Sequence, residues 1–346
     1  MKVRRRSAFS VLSVGLAVVV AGCGKESAAP PQSPVVASPA SLGPFRLGMM
    51  SRRKGLDYFG QVRQGAEEAS RELGVQLVFD GPADDQAEHQ ARLIDDWSKQ
   101  RFDAIAVAPN DAFVIAPSMR KARGAGGKPF TLTWDGDVSP TGSLRSAFVN
   151  PAPAKAVAEA LAEVLGEGMG GKGTLAIFIR SENAPDQNAW LKELKAILDR
   201  KYPKIRAMEP IETGEDRGRA LAAVTELLAA DPDLKGICAL TSVSLSAAAE
   251  AVKSTGKSGK VVVTGLGLPG SLKRFVVDGT VSKFVSWNPV DLGYLTVHVA
   301  KALAGGPLKP GKTRFGRLEA IEVLQDEVIL GPPQVFDRSN VEKSDY

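Results

Sequence analysis

Apolar residues along this chain follow two alternating patterns. Short runs such as 45–50 are mostly apolar, as expected for buried strands, and longer stretches repeat apolar residues every three or four positions, as expected for helices. The first helical stretch carries Phe59, Val62, Ala66, Ala69 and Leu73 at this spacing. Gly74 then ends it in the manner of a helix C-cap. The first unit is therefore predicted to be a strand followed by a helix.

The alternation continues in two series of similar length. The first series places strands at 75–80, 104–108 and 130–133, with helices at 85–100 and 114–125. The second follows a short strand at 147–149 and places strands at 174–179, 205–211, 234–239, 261–264 and 283–286, with helices at 152–165, 190–202, 217–230 and 245–255 and one ending at Val277. Strict alternation of strands and helices implies parallel sheets with right-handed crossovers.

Two such series predict an α/β fold of two doubly wound parallel-sheet lobes joined by a hinge. We expect the N-terminal lobe to comprise 45–148 and 288–312, and the C-terminal lobe 149–287 and 313–346. The expected hinge crossings lie near 148–150, near 287–289 and after Gly311. Loops at the carboxyl ends of parallel strands converge on a crevice, where helix N-termini also point. A ligand is therefore expected in the cleft between the lobes.

The N-terminus has the features of an export signal. Four basic residues precede an apolar run at 8–20, which is shorter than the roughly 20 residues of a membrane-spanning helix. Residues 20–23, Val-Ala-Gly-Cys, resemble a bacterial lipobox, in which the signal is cut before the cysteine and the cysteine carries a lipid. The resemblance implies a lipoprotein signal peptide at 1–22 and a lipid anchor at Cys23. An ordinary signal peptide with a chance cysteine is the alternative.

Composition predicts a tether after the signal and gives no indication of nucleic-acid binding or of an intramolecular disulfide. Residues 23–44 are rich in Pro, Ser and Ala and predict a disordered tether. The chain has 44 basic and 39 acidic residues, but four of the basic ones lie in the signal, so the mature protein is nearly neutral and nucleic-acid binding is not indicated. Cys23 and Cys238 are the two cysteines, so a lipid on the first leaves the second without a disulfide partner.

Three motifs carry a resemblance to a known family. They are 133–137 (Thr-Trp-Asp-Gly-Asp) after the fourth strand, 186–190 (Asp-Gln-Asn-Ala-Trp) at the start of a helix, and the ending 335–346. In this order they resemble the sugar-type periplasmic binding proteins of ABC transporters, in particular the rhamnose and autoinducer-2 binding branch, from about Phe45 to Tyr346. The resemblance implies the type I periplasmic binding fold and a monomeric, extracytoplasmic protein that captures a sugar.

The resemblance also implies the ligand contacts. Asp135 matches a carboxylate that binds a pair of ligand hydroxyls, each charge-assisted bond contributing roughly 1.5–3 kcal/mol. Asp186 and Gln187 match the ligand-binding pair of the second lobe, although Asp186 also suits a helix N-cap. The other implied contacts are Arg52 as the basic residue, Tyr58 and Phe59 as paired aromatics, Thr241 in a second-lobe loop, and Asn150, Trp287 and Asn288 near the lobe crossings. A turn cap is the alternative for Asp135, and core packing is the alternative for the two aromatics.

The chain departs from this branch at positions that bear on the ligand. It has Leu240, Thr241 and Ser242 where autoinducer-2 binders have Pro and a small residue, and it has Arg52 where they have Lys. Many ribose-type members carry an Asp in a Gly-Phe-Asp turn, whereas this chain has Gly-Leu-Gly at 265–267. A deoxy or other sugar is therefore expected ahead of autoinducer-2.

Other motifs do not indicate catalysis or a cofactor. Residues 166–173 fall one residue short of a phosphate-binding loop, because Gly173 follows Lys172, and they lie between a helix and a strand instead of opening a helix. His89 and His298 are the two histidines, and neither has a Cys or His at metal-binding spacing. We therefore expect no enzymatic activity, no metal and no cofactor.

The expected mechanism is hinge closure around the ligand. Asp135 of one lobe and Asp186 with Gln187 of the other bind the ligand together, so the closed form gains contacts that the open form lacks. The closed form is then expected to dock on an ABC permease in the membrane. A ligand-sensing receptor that docks on a membrane sensor is the alternative. An enzyme on the same fold would need a nucleophile or base in the cleft.

Overall fold

The structure is a computed structural model that describes residues 43–123, 129–138, 144–344 and 346. The predicted signal peptide, the predicted lipid anchor at Cys23 and the predicted tether up to residue 42 lie outside these residues. Within the described ranges, no helix combines the length and the apolar character that crossing a membrane requires.

The described residues contain nine α-helices and fifteen strands. The helices are α1 (Asp57–Leu73), α2 (Ala87–Ser98), α3 (Ala112–Arg123), α4 (Ala154–Gly168), α5 (Pro185–Lys201), α6 (Arg217–Ala230), α7 (Ser242–Ser254), α8 (Pro269–Val277) and α9 (Pro289–Leu303). The strands are β1 (Arg46–Met50), β2 (Gln76–Asp80), β3 (Ala104–Val107), β4 (Phe130–Trp134), β5 (Ala147–Asn150), β6 (Lys172–Ile179), β7 (Lys204–Ala207), β8 (Ile211–Glu212), β9 (Leu234–Ala239), β10 (Val262–Gly265), β11 (Phe284–Ser286), β12 (Gly311–Phe315), β13 (Leu318–Leu324), β14 (Glu327–Ile329) and β15 (Gln334–Phe336).

The predicted order of strands and helices is confirmed from β1 to β11; most bounds shift by one to three residues, and two elements differ more. Helix α5 begins at Pro185, five residues before its predicted start, because proline at the first helical position and Asp186 in the first turn both favour a helix N-terminus. The predicted strand 205–211 is divided into β7 and β8. Pro210 lies between these two strands and has no N–H to donate to a neighbouring strand.

The larger sheet has eight strands in the order β12-β13-β14-β5-β4-β3-β1-β2. The strands from β14 to β2 in this order pair in parallel, and β13 and β12 add to β14 as antiparallel strands. Because β14 pairs with β5, the strands β12 to β14 belong to this sheet. The prediction that placed 313–346 in the C-terminal lobe is therefore wrong for 313–329. An antiparallel hairpin lacks the helix between strands on which that prediction depends.

The smaller sheet has five parallel strands, with β10, β9, β6 and β7 in order and β8 also paired to β6. Strands β11 and β15 form a separate antiparallel pair. Apolar side chains are buried on both faces of each main sheet, as in parallel sheets that are covered by helices on both sides. The predicted α/β class is confirmed.

Helices α1 and α9 pack closely and thereby position two segments of the cleft. A Cβ atom at Gly65 would lie 1.7 Å from the carbonyl oxygen of Val290, and one at Gly293 would lie 1.9 Å from that of Val62. Glycine is required for backbones to approach this closely. The packing holds the start of α1 beside the residues that precede α9.

The glycine-rich run 166–173 is a helix-to-strand turn, as predicted. Helix α4 ends at Gly168, and β6 begins at Lys172. Between them Gly170 and Gly171 have φ values of 61° and 71°, in the left-handed region that favours glycine. Because no helix starts at this run, it does not have the structure of a phosphate-binding loop.

Candidate ligand-binding site

A pocket lies where loops from the carboxyl ends of strands in both main sheets meet, which is the expected position for a ligand in parallel α/β sheets. Seven of the ten predicted ligand contacts line it: Arg52, Tyr58, Phe59, Asp135, Asp186, Thr241 and Trp287. The other three, Asn150, Gln187 and Asn288, lie outside its lining. The structure thus brings most of the predicted site together from distant parts of the chain.

Asp135 follows β4 and adopts an unusual backbone conformation. Its φ is 66°, and the N–H of Gly136 donates to the carbonyl of Trp134 at 2.7 Å, which closes a three-residue turn around Asp135. A positive φ costs energy for residues other than glycine, although Asp tolerates it better than most. Such conformations concentrate at functional sites. The turn holds the carboxylate in the pocket, where Asp135 is 3% exposed.

The Asp135 carboxylate is held by two residues of its own wall of the pocket. The Tyr58 hydroxyl donates to Oδ1 at 2.6 Å, and Arg52 Nη1 forms an ion pair with Oδ2 at 2.5 Å. The Arg52 guanidinium also lies over the Phe59 ring, 5.1 Å from its centroid. Burial opposes the charge of Arg52, but the Asp135 and Asp186 carboxylates outweigh it and raise the pKa of Arg52.

Three buried polar atoms of the Arg52–Asp135 ion pair can still form hydrogen bonds with a ligand. Arg52 Nε is buried without a hydrogen-bond partner among the described residues, and Arg52 Nη1 and Asp135 Oδ2 contact each other at 2.5 Å in an ion pair that lacks hydrogen-bond geometry. Unsatisfied buried groups are costly, so partners are expected at such positions. A ligand hydroxyl can accept from the guanidinium and donate to the carboxylate at once.

Asp186 lies on the opposite wall, in the first turn of α5, and is bound mainly by Arg180. Arg180 Nη2 donates to Asp186 Oδ1 at 2.8 Å and Nη1 donates to Oδ2 at 3.3 Å, while Arg52 Nη1 lies 3.5 Å from Oδ2. Burial raises the pKa of Asp186, but Arg180 and Arg52 outweigh it and lower the pKa below its ordinary value. Asp186 is therefore ionised and bound at both oxygens.

Gln187 forms hydrogen bonds with the backbone of two residues that line the pocket. Its Oε1 accepts from the N–H of Arg180 at 2.8 Å, and its Nε2 donates to the carbonyl of Leu240 at 2.9 Å. The residue is 0% exposed. The amide therefore joins the loops after β6 and β9, and direct contact of Gln187 with the ligand stays a prediction.

The side chains of Asn150 and Asn288 also form hydrogen bonds outside the lining of the pocket. Asn150 Nδ2 donates to Glu327 at 2.6 Å, and its Oδ1 accepts from the N–H of Ala152 at 3.1 Å. Asn288 is the N-cap of α9, and its Oδ1 accepts from the N–H groups of Val290 and Asp291. Both residues lie near the crossings where the resemblance places them, but their side chains stabilise the local backbone.

Thr241 and Trp287 line the pocket with additional roles. The Thr241 hydroxyl accepts from the N–H of Ser244 at 3.0 Å and caps α7. Trp287 Nε1 donates to the Tyr58 hydroxyl at 2.8 Å. The rings of Trp287 and Trp190 lie 5.9 Å apart at 51°. Tyr58, one of the two paired aromatics implied by the resemblance, bonds both Asp135 and Trp287 through its hydroxyl.

Arg180 and Glu215 are charged pocket residues that sequence reasoning missed. Glu215 lies in the loop after β8, and burial raises its pKa most strongly, with Asp85 and Asp186 adding to the increase while Arg180 and Arg52 oppose it. Both residues follow strands of the smaller sheet at its carboxyl end. That position was the available signal, because ligand-facing loops occur there.

The pocket also has an apolar wall. It consists of Trp190, Leu240, Leu266, Leu268 and Val285, which come from α5 and from the loops around β9, β10 and β11. The site therefore presents charged donors and acceptors on one side and aliphatic and aromatic carbon on the other. Among the residues that the structure describes, no group of three or more His, Cys, Asp or Glu side chains is placed to hold a metal ion.

The chain is similar in sequence to known proteins. The family model described as periplasmic binding protein domain matches residues 47–308. The D-allose-binding periplasmic protein of Escherichia coli (strain K12) is 25% identical over 243 residues, which cover 68% of this chain and 77% of that protein.

Solved structures share the fold over most of the chain. A solute-binding protein of an ABC transporter from Clostridium phytofermentas with bound L-rhamnose is 27% identical, with a TM-score of 0.80 over 87% of this chain and 98% of that one. An autoinducer-2 complex from Clostridium saccharobutylicum is 21% identical, with a TM-score of 0.81 over 87% of this chain and 100% of that one, and shows the fold alone.

The relatives are sugar-binding transport proteins and not enzymes, which agrees with the expectation from sequence. A family of this kind also implies a location outside the cytoplasm. The chain belongs to the periplasmic binding protein family, as a sugar-type solute-binding protein of an ABC transporter.

Proposed function

We propose that this protein is a lipid-anchored solute-binding protein that captures a monosaccharide, rhamnose-like or similar, and delivers it to an ABC import permease. The observation that carries the proposal is the pocket in which Asp135 and Arg52 face Asp186 across the cleft. Paired carboxylates and guanidinium groups bind vicinal hydroxyls, since each hydroxyl both donates and accepts.

The apolar wall indicates which sugars are favoured. A hydroxymethyl group that faces Leu240, Leu266 and Val285 loses its hydrogen bonds to water and gains no partner there, at a cost of about 1–3 kcal/mol. A methyl group at the same place is buried favourably. The wall therefore favours a 6-deoxy sugar, and the L-rhamnose bound by the relative from Clostridium phytofermentas is a sugar of this kind.

Hinge closure is the proposed mechanism of capture. The ligand bonds to Asp135 on one wall and to Asp186 on the other, so its binding stabilises the arrangement in which the walls face each other. The proposed lipid at Cys23 would keep the monomeric protein at the membrane, beside the permease.

Calorimetric titration with matched sugars tests the proposal. We expect L-rhamnose to bind about 10-fold more tightly than L-mannose, and D-fucose more tightly than D-galactose, because each pair differs in one hydroxyl at C6. An Asp135→Ala variant should bind none of them measurably. D-allose, D-ribose and autoinducer-2 complete the panel.

The outcomes test sugar capture and the preference for a 6-deoxy sugar separately. Folded wild-type protein that binds no member of the panel would rule out sugar capture. Tighter binding of L-mannose and D-galactose than of their 6-deoxy partners would leave sugar capture intact and contradict the preference for a methyl group.

A further inference from the structure

Tyr58 lies between the hydrophobic cores of the larger and the smaller sheet. It lies in the first turn of α1, and its ring packs against the hydrophobic core that includes Leu47 and Trp134 of the larger sheet. It also packs against the core that includes Trp190 and Ile177 of the smaller sheet. Tyr58 thus contacts a hydrophobic core of each main sheet.

The hydroxyl of Tyr58 forms hydrogen bonds with both Trp287 and Asp135. Trp287 Nε1 is a donor only, so Tyr58 accepts from it at 2.8 Å and its own proton goes to Asp135 Oδ1 at 2.6 Å. Trp287 follows β11, which pairs with β15 outside the larger sheet, whereas Asp135 follows β4 within that sheet. The two bonds therefore connect residues of different sheets through one oxygen atom.

Hydrogen bonds in such a chain strengthen one another. A hydroxyl that accepts a bond becomes a better donor, so the bond from Trp287 strengthens the bond from Tyr58 to Asp135. A variant without the indole N–H of Trp287 lacks this support, and Asp135 Oδ1 is then held less firmly. Phe59, the neighbouring aromatic, has no hydroxyl and takes no part in this link.

We propose that Tyr58 is a positioning residue, whose hydroxyl couples Trp287 to the orientation of the ligand-binding carboxylate of Asp135. This inference rests on the proposed function, since Asp135 is the proposed sugar contact. Its consequence is that the Asp135 carboxylate is fully oriented for ligand only while the hydroxyl of Tyr58 also accepts from Trp287. Tyr58 then contributes to affinity through Asp135 without needing to touch the ligand.

A double-mutant cycle tests the coupling. Tyr58→Phe keeps the ring and removes the hydroxyl, and we expect it to weaken binding of the tightest sugar of the panel about 10-fold. Trp287→Phe should weaken binding as well, partly through lost packing against the ligand. The loss caused by Trp287→Phe should be smaller in the Tyr58→Phe background than in the wild type, because the shared hydroxyl is already absent.

The chain offers a matched control in Tyr294. Its hydroxyl also donates to a carboxylate, that of Glu72, and accepts from an N–H, that of Arg317 at 3.1 Å, but it does not line the pocket. Tyr294→Phe should lower the melting temperature and leave the affinity for sugar within about twofold of the wild type. A general effect of losing a buried tyrosine hydroxyl would appear in both variants.

Each result decides the matter. Affinity of Tyr58→Phe within twofold of the wild type, or an equal effect of Trp287→Phe in both backgrounds, would overturn the coupling while sugar binding by the wild type stands. If the wild type binds no sugar, the proposed function is removed, and the inference with it.

Discussion

The two walls of the cleft hold their carboxylates in different ways. Asp135 has a strained backbone, and its oxygens are bound by a tyrosine hydroxyl and by an ion pair that lacks hydrogen-bond geometry. Asp186 lies at a helix N-terminus, and Arg180 of the same wall donates to both of its oxygens. One carboxylate thus retains capacity for a ligand, and the other is largely satisfied by the protein.

The difference indicates that the two walls of the cleft contribute differently to ligand binding. The wall with Asp135 supplies the acceptor and donor groups that remain unsatisfied, and the wall with Asp186 supplies a charge that is already fixed together with the apolar surface of Leu240 and Leu266. A carboxylate that is neutralised by its own arginine contributes to the stability of the wall and to the electrostatic balance of the pocket. Ligand affinity is expected to depend more on Asp135.

The largest expected effect is on stability, from the wall with Asp186. Asp186→Asn removes the carboxylate that is hydrogen-bonded to the buried Arg180, and we expect the free energy of unfolding in urea to fall by about 3 kcal/mol. The double variant Asp186→Leu with Arg180→Met should recover most of that loss, because neither charge is then left unpaired. A single variant as stable as the wild type would contradict the role assigned to this pair.

The next effect is on affinity, from the opposite wall. Asp135→Asn removes the charged acceptor while keeping a residue that tolerates a positive φ, and we expect the dissociation constant for sugar to rise about 100-fold. The fold should persist, because Arg52 keeps Asp186 at 3.5 Å as a partner. Calorimetric titration and thermal melting measure both effects. A greater loss of affinity in Asp186→Asn than in Asp135→Asn would reverse the comparison.

A smaller effect is the pH dependence of stability, which has opposite signs for Glu215 and Asp186 on the same wall. The folded protein raises the pKa of Glu215, so Glu215 contributes stability that is present at low pH and is lost as pH rises through the raised pKa. Asp186 has the opposite sign, because its pKa is lowered and its stabilisation is lost as pH falls through the lowered value.

Glu215→Gln tests this sign. The melting temperature of the wild type minus that of Glu215→Gln should decrease as pH rises from the acidic range towards neutral, since glutamine does not titrate. Thermal melts of both proteins across this range supply the difference. An increase with rising pH would contradict the raised pKa.

The smallest expected effect is at a residue that the resemblance places in the site and the structure places outside its lining. Asn150→Ala should change the affinity for sugar by less than about twofold, because both ends of its amide bond to Glu327 and to the backbone of Ala152. A loss of affinity approaching that of Asp135→Asn would show that Asn150 contacts the ligand.

Much of the site was predictable because motifs mark strand ends. Asp135 and Asp186 stand at the carboxyl ends of strands within recognisable sequences, and both line the pocket. Gln187 stands next to Asp186 in the same motif but points its amide to the backbone of two loops. Neighbours along a helix face different directions, so adjacency in sequence did not establish adjacency in the pocket.

Other features depend on contacts between segments far apart in the chain. Arg180 and Glu215 lie in polar loops that contain several charged residues, and the sequence gives no sign of which charge turns inward. The hairpin of β12 and β13 joins the larger sheet because β14 pairs with β5, about 180 residues earlier in the chain. Local periodicity carries no information about such a pairing.

The sequence by itself determined the α/β class, the order of elements to β11 and the family, because periodicity, caps and motifs are local properties of the chain. Only the tertiary structure decided which side chains share the pocket, that Arg180 binds Asp186, and that Tyr58 uses its hydroxyl to connect Trp287 with Asp135. The physical reason is that hydrogen bonds and ion pairs act over a few ångströms in space. Their partners are selected by how sheets and helices pack, which no single segment encodes.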